Sequence, residues 1–380
     1  MTEAAAKSIN STAAMALRLI AAICLLPATI SAAGGGSIFH ANSSVFDQWS
    51  SDSVDDFHFR KDEIARGINT GIDLQLLWAE KNLRVVTVRK NGQGDFATIS
   101  DAIESIPHRN RQRVVIRIGP GVYREKVKIE SSKPFVTFSG EENAMPTITY
   151  AGTAAEYGTL DSASVIVESR YFVASNIIFQ NSAPRPVLGV KGAQAVAMRI
   201  SGDKAAFYSC KFLGYQDTLC DDKGRHLFKD CFIQGTVDFI FGNGRSIYLN
   251  CVIKSVADGI TYITAQARST IADKSGFAFV HCNVTGTGSA YLSRAWKKSS
   301  RVVFAYTYMN SVVNPQGWDD SGFKERQGTV FYGEYKCLGP GASTSKRVSY
   351  VKLLTDEQAK PFLSMTFIRG KTWVLRQPQL

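Results

Sequence analysis

Asp217 and Asp238 are the residues around which a reaction could be built. Asp217 stands in Gly214-Tyr215-Gln216-Asp217-Thr218-Leu219, seven positions after Cys210. Asp238 stands in Gly235-Thr236-Val237-Asp238-Phe239-Ile240-Phe241-Gly242, seven after Cys231. If the two cysteines are equivalent positions on neighbouring strands, so are the two aspartates. Carboxylates one strand spacing apart resist ionising together near neutral pH, so one is driven toward its protonated form. That split suits an acid paired with a nucleophile. Burying Asp238 among Val237, Phe239 and Ile240 is costly without a partner, and a purely structural pair with an arginine would also meet that need. Asp258 follows Cys251 by the same interval but falls in a longer repeat, where a loop is expected.

The elements that must position these aspartates are legible as a repeat. An aromatic is followed three residues later by cysteine and five later by an apolar residue. It occurs as Phe207/Cys210/Phe212, Phe228/Cys231/Ile233, Tyr248/Cys251/Ile253 and Phe279/Cys282/Val284, with a weaker Phe304/Thr307/Met309. Successive copies start 21, 20, 31 and 25 residues apart. A period near 20 with variable insertions predicts a β-solenoid whose equivalent residues stack at about 4.8 Å. A β-sandwich with fortuitous spacing is the alternative. From Val114 onward, short β-branched and aromatic runs are broken by Gly, Asn, Asp and Ser, with no long amphipathic helix. A strand at Val85–Val88 precedes them. Next comes a helical pattern with Ala102, Ile103 and Ile106, stopped by Pro107, which predicts a short capping helix. Gly92-Gln93-Gly94-Asp95-Phe96-Ala97 imitates a dinucleotide fingerprint, but the required acidic residue downstream is missing. It reads as a turn.

Composition sets the wider frame. The 380 residues are 44% hydrophobic and 20% charged, with 44 Lys+Arg against 33 Asp+Glu, a formal net charge of +11. That charge favours a polyanionic partner, nucleic acid or acidic polysaccharide alike. Lys7 and Arg18 precede an apolar stretch from Leu19 to Leu26, and Ser31-Ala32-Ala33 follows. This reads as a signal peptide over 1–33, and the stretch is short for a membrane span. Residues 34–80 read as an N-terminal arm, 81–370 as the main β domain and 371–380 as a tail. Beyond the leader, Cys210, Cys220, Cys231, Cys251, Cys282 and Cys337 form an even set that permits disulfides in a secreted chain. With no CxxC and five scattered histidines, a structural zinc site is not expected. Asn42-Ser43-Ser44 and Asn283-Val284-Thr285 are glycosylation sequons.

At these motifs the chain resembles the pectin methylesterase family of plants, from about Val85 to Tyr335. The markers are Gly121-Val122-Tyr123-Arg124-Glu125, Gln194-Ala195-Val196-Ala197, Tyr215 to Leu219, Gly235 to Gly242, and Leu292-Ser293-Arg294-Ala295-Trp296. The resemblance implies an all-β fold, a single-stranded right-handed parallel β-helix. It also implies hydrolysis of methyl esters of homogalacturonan in the cell wall, with no cofactor or metal. In that reading Asp238 is the nucleophile and Asp217 the general acid, then base. Gln194 and Gln216 donate to the oxyanion, Arg294 pairs with Asp238, Trp296 stacks on a sugar, and Thr159 contacts substrate. The resemblance also favours a Cys231–Cys251 disulfide, a monomer, and recognition by a proteinaceous inhibitor. Nucleic-acid and membrane partners are not expected. Residues 34–80 are too few for the helical inhibitor-like pro-region of many plant members.

The motifs also depart from the family's pattern. Ser293 and Ala295 replace the Gly and Pro of a common Leu-Gly-Arg-Pro-Trp, Cys220 replaces a tyrosine, and Ser321 stands where a second tryptophan is frequent. These changes bear on substrate preference and loop rigidity more than on the aspartate pair. Two rivals remain: a pectin-depolymerising β-helix enzyme, which would cleave chains without releasing methanol, and a non-catalytic pectin-binding wall protein, in which Asp238→Asn would change nothing.

Overall fold

A computed structural model describes residues 71–374 apart from 82 and 188. The signal-like segment, most of the arm, the Asn42 sequon and residues 375–380 lie outside the described residues.

All the paired strands run parallel, and they stack turn upon turn into three faces. One complete turn shows the plan. Ala205–Tyr208 lies on the first face, Lys211–Leu213 on the second and Leu219–Asp221 on the third. The chain then returns to the first face at Arg225–Lys229. Two long strands, Val252–Gln266 and Asn283–Arg294, continue round the corner from the second face to the third. This is the right-handed parallel β-helix expected from the sequence.

The aromatic/cysteine repeat is the inner wall of the coil. Phe207, Phe228, Tyr248, Phe279 and Phe304 stack with ring centroids 4.8, 4.6, 4.4 and 4.4 Å apart and planes within 11°. Parallel strands force this geometry, because identical positions on successive turns are related by one strand spacing. Thr307 is fully buried in the cysteine column, so the weaker copy keeps register. Just before that column the chain turns the corner in a left-handed conformation. Asn176, Ser209, Asp230, Asn250, His281, Tyr306 and Lys336 all have φ between 47° and 57°.

The Cys231–Cys251 disulfide is not formed; all six described cysteines are free thiols. Each ladder thiol turns to the carbonyl two residues behind it. Cys210 donates to Tyr208 at 3.3 Å, Cys231 to Lys229 at 3.4 Å, Cys251 to Leu249 at 3.4 Å and Cys282 to Val280 at 3.6 Å. Side chains repeated in one rotamer along a ladder keep their sulfurs at strand spacing, far beyond the ~2.05 Å of a bond.

The expected capping helix is Ile99–Glu104, with Thr98 as N-cap. Glu125, from the Gly121–Glu125 marker, accepts from the backbone N–H groups of Ile99 and Ser100 at 3.0 and 2.9 Å. That marker is therefore an anchor for the cap. The Gly92–Gly94 segment is a turn, held where Asp95 accepts from the Thr87 N–H at 2.7 Å. A further helix, Leu74–Lys81, lies at the end of the arm and buries Leu76 and Ala79.

Candidate active site

Register brings the two aspartates together. Leu219 pairs with Ile240, so Asp217 and Asp238, each two residues earlier, occupy neighbouring turns at the corner between second and third faces. Both are buried, 8% and 5% exposed. Both also have left-handed backbone, φ 64° and 51°. Asp tolerates that conformation better than most residues, at a cost of roughly 1–2 kcal/mol. Their backbones are tied into the coil: Asp217 N–H donates to Val237 at 3.0 Å and Asp238 N–H to Tyr262 at 2.8 Å.

The two carboxyls have unlike surroundings. Asp238 is gripped by Arg294, whose Nε lies 2.7 Å from Oδ1 and 2.9 Å from Oδ2, with Nη2 closing on Oδ2 as well. Burial raises the Asp238 carboxyl above the usual range, and the Arg294 bonds and charge oppose that rise. Asp217 makes no side-chain hydrogen bond or ion pair among the described residues. Burial pushes its carboxyl well up, the Asp238 charge pushes it further, and Arg294 offsets only part. Both carboxyls are thus pushed upward, Asp217 with only a distant offset and Asp238 against a direct arginine grip, so Asp217 is the one whose surroundings favour the proton more.

Arg294 ends the strand Asn283–Arg294. Its guanidinium lies 5.7 Å from the Tyr262 ring centroid and 4.8 Å from that of Trp296. Trp296 is 47% exposed, which leaves it available to an incoming ring. Tyr262 was missed by sequence reasoning; the structure reveals it, since Ile240 pairs with Thr264, which puts Tyr262 in register with Asp238. Arg326 was also missed. Its Nη1 donates to the Ala295 carbonyl at 2.5 Å, bracing the Trp296 loop. The Ala295 N–H donates to Asp319 at 2.9 Å, a bond that proline could not make. The departure at 295 thus exchanges one restraint for another.

Gln194 and Gln216 are half-buried on adjoining turns, joined where Ala195 N–H donates to the Gln216 carbonyl at 3.2 Å. Neither side-chain amide is engaged within the described residues, so both are free to donate. No hydrogen bond joins Thr159 to these groups among the described residues. It precedes the short 3-10 turn Leu160–Ser162, beside a helical insert whose Ala154 N–H bonds the Gln194 carbonyl at 2.8 Å. Cys220 is fully buried in a small satellite cluster with Ala163, Ile166 and Val196, so it presents no sugar-facing group. Asp258 does not lie in a loop as expected: it is an exposed residue of the strand Val252–Gln266, where the register shifts between Val256 and Ile260, and it pairs with Arg185 at 2.8 Å.

A family model described as Pectinesterase matches residues 85–371. The chain belongs to the pectinesterase family. Pectinesterase 1 of Olea europaea is 50% identical to it over 306 residues, which is 80% of this chain and 84% of that one. Among solved structures, pectin methylesterase from carrot superposes with a TM-score of 0.71 at 35% identity, covering 76% of this chain and 94% of its own. A pectin methylesterase in complex with a hexasaccharide gives 0.66 at 27% identity, covering 77% and 98%. This pectinesterase therefore carries its buried carboxylate pair on the fold of enzymes that act on pectin.

Proposed function

We propose that this pectinesterase hydrolyses the methyl esters of homogalacturonan by an aspartyl mechanism with Asp238 as nucleophile and Asp217 as acid and base. The reading rests on one observation above all: two buried carboxyls in register, of which only Asp238 is held by an arginine. The charged Asp238 carboxylate attacks the C6 ester carbon. The amides of Gln194 and Gln216 donate to the developing oxyanion, a contribution of about 10²–10³ per donor. Asp217 gives its proton to the departing methoxide, and methanol leaves. The resulting anhydride joins Asp238 to the galacturonate. Asp217, now ionised, takes a proton from water as the water attacks that anhydride at C6. Collapse expels the Asp238 carboxylate and releases the product as a carboxylic acid, which gives its proton to solvent, and both aspartates are restored. Trp296 supports a sugar ring beside the reacting ester, and Thr159 acts at the substrate's periphery. No step calls for a metal or cofactor.

The signal-like leader and a wall-polymer substrate together support secretion to the cell wall, where a monomer meets pectin and a protein inhibitor can compete with it. Fusion to a fluorescent protein should label the wall and not the cytosol.

The test of the activity is methanol release from esterified pectin by the purified chain. Methanol without shortening of the polymer is expected, while depolymerisation without methanol would overturn the reading. Asp238→Asn should lower methanol release by 10³-fold or more while the protein stays folded; an unchanged rate would remove Asp238 from the mechanism.

A further inference from the structure

A groove lies at another corner of the coil from the aspartate pair, nearer its N-terminal end, with a volume of about 1020 Å³. It is lined by Trp78 from the helix Leu74–Lys81 and by Arg109, Arg111, Ser131 and Arg170. These residues come from the connections that enter the first-face strands Val114–Ile118, Val136–Ser139 and Val173–Ser175. The corner is the one between third and first faces. The aspartate pair sits on later turns, between second and third faces. The two sites are therefore separate.

The chemistry of this groove is uniform. None of the described residues that line it is acidic. Among the described residues, Arg109, Arg111 and Arg170 have no carboxylate partner, although nearby cations are matched. Arg113 pairs with Glu80 at 2.7 Å and Lys133 with Glu104 at 2.9 Å. Arg109, Arg111 and Arg170 are exposed, and Arg109 N–H is fixed to the Ser132 carbonyl at 2.6 Å. Trp78 is 66% exposed, with Lys81 Nζ at 4.7 Å from its ring centroid. An exposed indole offers a flat apolar face to a sugar ring. Guanidiniums bind carboxylates in fork geometry, and here two share the connection into Val114–Ile118 while the third enters Val173–Ser175 two turns on.

We infer that this groove binds de-esterified homogalacturonan, the enzyme's own polyanionic product, as an accessory site. The assignment of the ligand rests on the pectinesterase reading, because that reaction is what makes one carboxylate per sugar. A stretch already stripped of methyl groups would hold the enzyme on the polymer while esterified units reach the aspartates. The site thus couples past turnover to further attack on the same chain.

Equilibrium dialysis with a fully de-esterified oligogalacturonide tests it directly, independently of catalysis. Wild type should bind two oligomers per chain at low ionic strength, and Arg109→Ala/Arg111→Ala/Arg170→Ala only one. Trp78→Ala, which removes no charge, should weaken the second binding event about tenfold. Both variants should turn over short methyl-esterified oligomers as wild type does and show a several-fold higher KM on long, partly de-esterified pectin. An unaltered stoichiometry in the folded triple variant would overturn the proposal. So would equal competition by polyglutamate, which would show charge attraction without sugar recognition. A wild type that releases no methanol, yet binds two oligomers, would sink the esterase reading and leave the groove standing.

Discussion

At the scale of single residues, two aspartates of the same type stand in unlike surroundings, one gripped by Arg294 and the other without a side-chain partner among the described residues. The folded-state value of Asp217 lies above its unfolded one. Its contribution to stability is therefore fully present below the unfolded value and is lost as pH rises through the folded one. Asp217→Asn removes that liability. It should raise the melting temperature at neutral pH while lowering methanol release about 10²–10⁴-fold; calorimetry and a methanol assay on the same sample check both. Asp238→Asn should act oppositely on stability, because it leaves the half-buried Arg294 without its charge partner, at a cost of about 1–3 kcal/mol. Arg294→Ala leaves burial of Asp238 unopposed. The acid limb of the activity profile should then move to higher pH, as a pH series of kcat/KM would reveal. The aspartates were legible in sequence because the cysteine interval carried their register. Tyr262 and Arg326 were not, since each acts through a contact made by residues 30 or so positions away in the chain.

At the scale of elements, the strand ladder sets the geometry that the chemistry uses. Phe228 belongs to the turn that carries Asp238 and stacks on Phe207 and Tyr248. Phe228→Ala should cost about 3–5 kcal/mol, read by denaturant unfolding, with activity falling in step with the folded fraction. The cysteines make the complementary prediction. Since the ladder holds free thiols, a reductant should leave the melting temperature unchanged; a drop of several degrees would show a bridge after all. The period near 20 exposed the ladder and its inner wall. The left-handed corners stayed hidden because Asn, Ser, Asp, His, Tyr and Lys all occupy them, so no single residue type marks the turn. The expected disulfide failed for a reason internal to the same ladder: equal side chains in equal rotamers stay parallel. The Trp296 loop also belongs here. Arg326→Ala removes its brace, and KM for pectin should rise several-fold with little change in kcat.

At the scale of the whole molecule, the coil has ends that must be closed. Glu334 and Arg347, 3% and 2% exposed at the side chain, meet at 2.7 Å, and Trp318 Nε1 donates to the same carboxylate at 2.9 Å. This cluster pins the C-terminal segment beneath the last turns. Arg347→Ala would leave a buried carboxylate unpaired, and a loss of about 3–5 kcal/mol is expected by chemical denaturation. Farther up, Asp73 joins Lys204 at 2.5 Å and also bonds Tyr171, tying the helix Leu74–Lys81 to the first face. Composition foretold the other property of the molecule. A formal charge of +11 implies that binding to polyanionic pectin weakens with salt.

The central claim is that neighbouring turns of one coil hold a protonated Asp217 against a charged Asp238. The infrared difference spectrum between wild type and Asp217→Asn at neutral pH tests it most directly. A carboxylic-acid carbonyl band present in wild type and missing from the variant is the expected result. A difference spectrum that shows instead the loss of a carboxylate band would contradict the account.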